Sequence, residues 1–300
     1  MNIPVVKYRK LWYLISGAAL VASVIFLSMW GLKQGIEFTG GTLMAVQFDE
    51  QPSVAELQTS LSHTEGDIGT AIVQLSGDKD AQIRLQPISE EVHQSILSRF
   101  KEDFGTVEEL RYDSIGPVIG QELRSKSIKG LLIVLLAILL YVAYAFRKVS
   151  APVQSWKYGL ITILAAFHDI VIPLGVFAYL GQFAGVEIGT PFIAALLTIL
   201  GYSITDTIVV MDRVRENLLK KSASFADIVQ ASVEQTFFRS FNTSFTTLLA
   251  LFAIYLFGGE SLKEFTLTLI IGISVGTYSS IFIASPLLVT LERWKAKRRK

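Results

Sequence analysis

Cysteine is absent from the 300 residues, which excludes disulfides, thiolate metal sites and cysteine catalysis. Charge is also scarce: charged residues make up 18% of the chain and hydrophobic residues 51%, with a mean hydropathy of +0.48. That balance fits a membrane protein. Histidine occurs three times. His63 and His93 stand isolated and are expected to be ordinary surface residues. His168-Asp169 lacks a third ligand for a metal. No cofactor motif is present, and nothing in the pattern points to an enzyme.

What the chain has in quantity is apolar sequence. A helix needs about 20 mostly apolar residues to cross a bilayer. Six stretches qualify: 11–30, 128–146, 155–180, 188–211, 237–258 and 265–290. Lys7, Arg9 and Lys10 before the first give it a signal-peptide look. Its run is too long for an h-region, however, and no small-x-small cleavage site follows Trp30, so it reads as a retained anchor. Segments 1–10, 147–157, 212–241 and 291–300 together hold 17 Lys/Arg, and the opposite side holds 9. The positive-inside rule then puts both termini in the cytoplasm and 31–127 outside. That outer segment carries 16 Asp/Glu against 8 Lys/Arg, which argues against a nucleic-acid partner. The basic C-terminus, Arg293 to Lys300, reads most simply as an anchor on anionic lipid headgroups.

Residues 41–113 read as a small soluble domain of about 70 residues, enough to fold but marginal. Alternating runs predict strands at Gly41–Phe48, Asp67–Leu75, Ala81–Gln86 and Thr106–Tyr112. One helix is expected after Pro52-Ser53, with Val54, Leu57 and Leu61 on one face. A second starts at Ser89 and carries Val92, Ile96, Leu97 and Phe100. The order is βαββαβ, a ferredoxin-like plait. No nucleophile cluster accompanies it, so it reads as a binding module. Before it, Gly35-Ile-Glu-Phe-Thr-Gly-Gly41 predicts a tight strand entry, since its glycines allow close backbone approach. After it, Ser114 to Leu123 reads as a hinge into a helical approach to the second span.

Charged residues inside the spans are the candidate site. Asp206 lies five residues from the cytoplasmic end of 188–211, about 7 Å deep. Asp169 lies in the preceding span and Arg239 near the start of the following one. Intramembrane charges are costly and usually kept for ion, proton or substrate movement. Asp206 and Arg239 are placed to pair. An Asp held permanently by Arg stays ionised, whereas burial without a partner favours the protonated acid; alternation between the two would carry a proton. A static ion pair joining two helices is the other reading. Tyr202, Ser203, Thr205, Thr207, Asn242, Thr243, Ser244, Thr246 and Thr247 either line a wet path or bond between helices. Pro173 frees the carbonyl of Asp169. Span 128–146 is nearly featureless and reads as lipid-facing support. In the last span Gly272, Gly276, Ser280 and Ala284 recur every four residues, a structural stripe for close packing. Phe225, Ile228, Val229, Val233 and Phe237 predict an amphipathic helix on the membrane surface.

Several of these segments resemble a known family. Gly35 to Gly41, with Phe38, Thr39, Gly40 and Gly41, is similar to the GIDFTGG signature of the Sec accessory subunits SecD and SecF. Gly201-Tyr-Ser-Ile-Thr-Asp-Thr-Ile-Val-Val-Met-Asp-Arg-Val-Arg-Glu-Asn217, opening on Gly201, Tyr202 and Ser203, resembles the SecF motif GYSxNDTIVVxDRIREN. Thr243 to Thr247 with Phe257-Gly-Gly259 resembles its TSxTT…FGG segment. Thr205 stands where many members carry Asn, and keeps a hydrogen-bonding side chain. The segment order over the whole chain is that of the SecF side of the family.

The resemblance implies a six-helix polytopic membrane protein with an extracytoplasmic α+β domain. It implies pairing with SecD into an RND-superfamily-like unit that assists the SecYEG channel and the SecA motor, with YajC and YidC as neighbours. It implies use of the proton-motive force to promote export of unfolded preprotein, with Asp206 and Arg239 as the contributions to the proton path and the main acid on SecD. Two rivals stand beside it. A self-sufficient proton-coupled transporter would show inverted repeats and paired broken helices, which are not evident. A purely structural subunit would tolerate neutralising Asp206 and Arg239.

Overall fold

The computed structural model describes residues 4–64, 66–145, 154–220 and 222–298. The chain divides into two units, one of Met1–Lys33 with Lys129–Lys300 and one of Gln34–Ile128.

The first unit is a helical bundle. Its helices are α1 (Arg9–Trp30), the second half of α5 (Pro117–Ala145), α6 (Ser155–Phe183), α7 (Thr190–Lys220), α8 (Phe225–Phe257) and α9 (Glu260–Ser279). A π turn, Ser280–Ala284, continues α9 into α10 (Ser285–Arg298). These make six membrane spans, since α9, the π turn and α10 form one continuous crossing. The apolar stretches of α6 and of the last span are mostly buried against other helices, whereas those of α5 and α8 are mostly not. The core is therefore α6, α7 and α9.

Small residues set the helix spacing there. A Cβ on Gly272 would lie 2.1 Å from Ile199 Cδ1, and one on Gly276 would lie 2.9 Å from Ser203 Cβ. The small-residue stripe thus faces α7. Gly175 plays the same part between α6 and α1, where a Cβ would sit 2.3 Å from Ser23 Cβ.

The stretch expected as a surface helix departs from the sequence reading. Phe225 to Phe237 is the first third of α8 and continuous with the span. Ile228, Val229 and Val233 are buried, with Val233 packed on Val5, Val210 and Ile281, and Val229 on Val6, Val214 and Val289. The apolar stripe is covered by protein and so does not need a membrane surface.

The second unit is a four-stranded antiparallel sheet with two helices, in the order βαββαβ. A single helical turn, α2 (Ile36–Thr39), leads into β1 (Gly41–Phe48). Then come α3 (Val54–Ser62), β2 (Ile72–Ser76), β3 (Asp80–Leu85), α4 (Glu90–Phe104) and β4 (Val107–Ile115). The strand order β2-β3-β1-β4 is that of the ferredoxin-like plait. β1 pairs with β3 through Met44↔Ile83 and with β4 through Met44↔Tyr112. Met44, Val46, Phe48, Leu57, Ile83, Ile96 and Phe100 form the core. Both helix starts are capped. Ser53 and Glu56 form a reciprocal capping box, and Ser89 Oγ accepts from Val92 N.

Two boundaries move from their expected places. β2 starts at Ile72 rather than Asp67, because Gly66 (φ 118°) and Gly69 (φ 61°) hold a left-handed backbone unsuited to a strand. The expected hinge at Ser114 is absent. Ser114 and Ile115 finish β4 opposite Thr42 and Gly41, and Pro117 opens α5 as its first helical residue.

The glycine pair before β1 is held tightly. Gly40 has φ 76°, and a Cβ there would lie 2.7 Å from Pro117 Cα. Gly120 in turn approaches Gly40 N so closely that its own Cβ would lie at 2.8 Å. The α5 start and the glycine turn need glycine on both sides.

Candidate functional site

His168 and Asp169 project from the middle of α6 into the bundle. Asp169 has no exposed surface. A buried carboxylate is tolerated only when hydrogen-bonded, and three donors meet this one. His168 Nδ1 lies 2.8 Å from Oδ1, Ser279 Oγ donates to Oδ2 at 2.8 Å, and Ser203 Oγ also donates to Oδ2. The donors come from α6, α9 and α7, so the carboxylate ties three helices together.

One turn further along α7 the polar contacts continue. Thr207 Oγ1 and Ser280 Oγ are 3.0 Å apart. The π turn begins at Ser280, and its extra residue is bridged by Ser285 Oγ donating to the Ser280 carbonyl at 2.8 Å. Ser279 and Ser280, adjacent in sequence, thereby serve α6 and α7 respectively.

Asp206 faces the other neighbour, α8. Ser240 Oγ donates to its Oδ1 at 3.1 Å. Its Oδ2 is buried and has no hydrogen-bond partner. Tyr202 reaches Ser244 and Thr247 at 3.4 Å each, and Ser244 lies 2.6 Å from Thr277 of α9.

The expected Asp206–Arg239 pair is not formed. Among the described residues no ion pair joins Arg239 to a carboxylate, and Arg239 is exposed. Ser240 occupies the α8 position that faces Asp206. Its chain neighbour Arg239 is turned about 100° around the helix. The structure brings Asp169 together with Ser203, and Asp206 with Ser240. The two carboxylates sit on separate hydrogen-bond sets linked through α7.

The neighbouring hydroxyls fall into two groups. Ser203, Thr207 and Ser244 bond between helices. Thr205, Thr243 and Thr246 donate to carbonyls three or four residues back in their own helices, and Thr247 does so while also meeting Tyr202 of α7. Sequence reasoning missed Ser240 and Ser279 as partners of the acids, and read Ser280, which bonds to Thr207, as packing alone. Hydroxyls in an otherwise apolar span were the available signal.

His93 is a second correction. It is buried, not a surface residue, with Nε2 2.7 Å from Glu109 Oε1 and Nδ1 3.2 Å from Glu90 Oε1. Its ring stacks on Tyr112 at 3.8 Å. His93 lies on the same α4 face as Ile96, Leu97 and Phe100, which carries it inward. Bonds from Gln94 and then His93 hold the Glu90 carboxyl below its ordinary value. His63 stays exposed.

Together these features define a multi-pass helical membrane protein with buried acids at its helix contacts and a plait domain inserted after the first span. The family model for "Protein export membrane protein SecD/SecF, C-terminal" matches residues 95–294. That for the "SecD/SecF GG Motif" matches residues 28–52, which include Phe38, Thr39, Gly40 and Gly41. The chain belongs to the SecD/SecF family of protein-export membrane proteins.

Among its relatives, the protein translocase subunit SecF of Thermobaculum terrenum is 41% identical, over 97% of this chain and 94% of that protein. SecF of Sebaldella termitidis is 37% identical over 98% and 94%. The crystal structure of SecDF from Thermus thermophilus, a translocon-associated membrane protein, superposes with a TM-score of 0.84 at 32% identity. It covers 98% of this chain, which spans 39% of that one. The chain thus matches separate SecF subunits nearly end to end and about two fifths of the fused SecDF protein.

Proposed function

We propose that this chain is the SecF-type accessory subunit of a Sec protein translocase in the bacterial cytoplasmic membrane, coupling the proton-motive force to protein export. The observation that carries the coupling is Asp206, a buried carboxylate with one oxygen bonded to Ser240 and the other unpartnered, on a central helix. Such an oxygen is a place for a proton. Arg239, which joins no carboxylate in an ion pair among the described residues, fits the half of the cycle in which Asp206 is protonated, with ion pairing belonging to the other half. The partner is a SecD-like chain. Support comes from the Thermus SecDF protein, of which this chain matches about two fifths, as expected if the remainder is supplied separately here. Both termini lie in the cytoplasm, and the plait domain faces outside as a non-catalytic module for preprotein beside the SecYEG channel.

The test is secretion of a reporter into vesicles with and without an uncoupler, with the complex quantified. Asp206→Asn and Arg239→Ala should remove the uncoupler-sensitive fraction while co-purification with the SecD-like chain persists. Unchanged uncoupler sensitivity in Asp206→Asn would reject the coupling role. Independent transport of a small molecule by the purified chain alone would favour the transporter reading.

A further inference from the structure

We propose that His168 is a second proton-exchanging group of the buried site, accepting at Nε2, and that Asp169 is the positioning residue that fixes its tautomer. This rests on the proton-coupled reading above. The geometry begins with Asp169. An ionised carboxylate only accepts hydrogen bonds, and its Oδ2 already receives both Ser203 and Ser279. With Asp169 ionised, the third contact, His168 Nδ1 at 2.8 Å from Oδ1, carries its proton on the nitrogen. A neutral imidazole with its proton on Nδ1 has its lone pair on Nε2. That Nε2 is buried and has no hydrogen-bond partner.

This division of labour follows the arrangement in which a carboxylate orients a histidine through one nitrogen and leaves the other for chemistry. Asp169 is held by contacts from three helices. Proton uptake at Nε2 would convert a single buried charge into a pair of no net charge. From α6 His168 meets Asp169. From α9 it meets the ring of Tyr278 at 6.3 Å, and Ser279 lies on the shared carboxylate. From α7, Ser203 also lies on that carboxylate, while Asp206 faces α8. From α1, Ser16 Oγ donates to the Tyr278 hydroxyl, which donates to the Trp12 carbonyl, both at 3.3 Å. Among the described residues, Asp169 is the sole charged side chain bonded to His168. A proton arriving from the α1 side would meet Tyr278 beside the imidazole.

The chain holds three histidines, which makes the experiment direct. The full chain with nitrogen-15 histidine is placed in lipid nanodiscs, and His168 is assigned by difference from His168→Gln. At about pH 9 the ring should show the Nδ1–H tautomer, and on titration to about pH 5 Nε2 should gain a proton while Nδ1 keeps its own. In Asp169→Asn, whose amide both donates and accepts, the tautomer preference should be lost. An Nε2–H tautomer at high pH, or no change in the His168 signals across the range, would overturn the proposal and leave a structural histidine. Export supplies the second readout. His168→Gln should lose the uncoupler-sensitive fraction with the complex intact. If Asp206→Asn abolishes that fraction and His168→Gln preserves it, His168 fails and the coupling reading stands. If neither affects it, both fail.

Discussion

Deleting the hydroxyls that hold Asp169 measures whether this buried acid is an anion. Asp169 is fully enclosed, and Ser203 and Ser279 both donate to its Oδ2. A hydrogen bond to a charged group contributes about 1.5–3 kcal/mol, and one between neutral groups about 0.5–1.5 kcal/mol. Ser203→Ala and Ser279→Ala should therefore each cost about 1.5–3 kcal/mol. The double variant leaves Oδ2 with neither hydroxyl. Its loss should exceed the sum of the singles by about 0.5–3 kcal/mol, because the two donors share one acceptor. Ser274→Ala is the control: its hydroxyl bonds the Ile270 carbonyl of its own helix at 2.7 Å and touches no acid. It should change stability by less than about 0.5 kcal/mol. The assay is equilibrium unfolding of the full chain in mixed lipid–detergent micelles at neutral pH. Single losses no larger than the control, adding without coupling, would refute an ionised Asp169 held by these serines.

Gly175→Ala places a Cβ about 1 Å inside ordinary contact with Ser23, including its backbone Cα at 2.4 Å, so α1 and α6 must part. The same unfolding assay should register about 1–3 kcal/mol of destabilisation. Gly41→Ala meets both a φ of 131° and the Leu85 carbonyl oxygen at 2.9 Å. It should cost about 1–3 kcal/mol and raise protease cleavage within 34–128, and unaltered resistance would contradict the strain. In α3, bonds from Ser53 N–H and Oγ hold the Glu56 carboxyl below its ordinary value. A lowered carboxyl stabilises fully above its unfolded pKa and loses that stabilisation as pH falls through the folded one. Protection of the first-turn amides of α3 against exchange, taken relative to their intrinsic rates, should therefore fall in acid below about pH 4. Glu56→Gln should flatten that dependence.

Much of this architecture was legible locally. Six spans follow from runs of apolar residues, since the bilayer imposes length and composition on each helix by itself. The βαββαβ order followed from alternation and helical stripes, and β1 runs over Gly41–Phe48 as its alternation indicates. The motif around Asp206 and the glycine pair at 40–41 carried the family. What tertiary structure alone decided was which face of each element meets which neighbour. His93 lies on the buried face of α4 because that face is closed by β4. The stripe of α8 is spent on α7 and the N-terminal segment. Asp206 meets Ser240 and not Arg239 because adjacent residues on a helix point about 100° apart, and only the packed bundle sets the rotation of α8. The serines at 279 and 280 reach separate helices through a π turn that no local pattern announces. Hydropathy and periodicity are properties of single segments. The partners of a buried charge depend on helix rotation and spacing, which are settled when close-packed neighbours fit together.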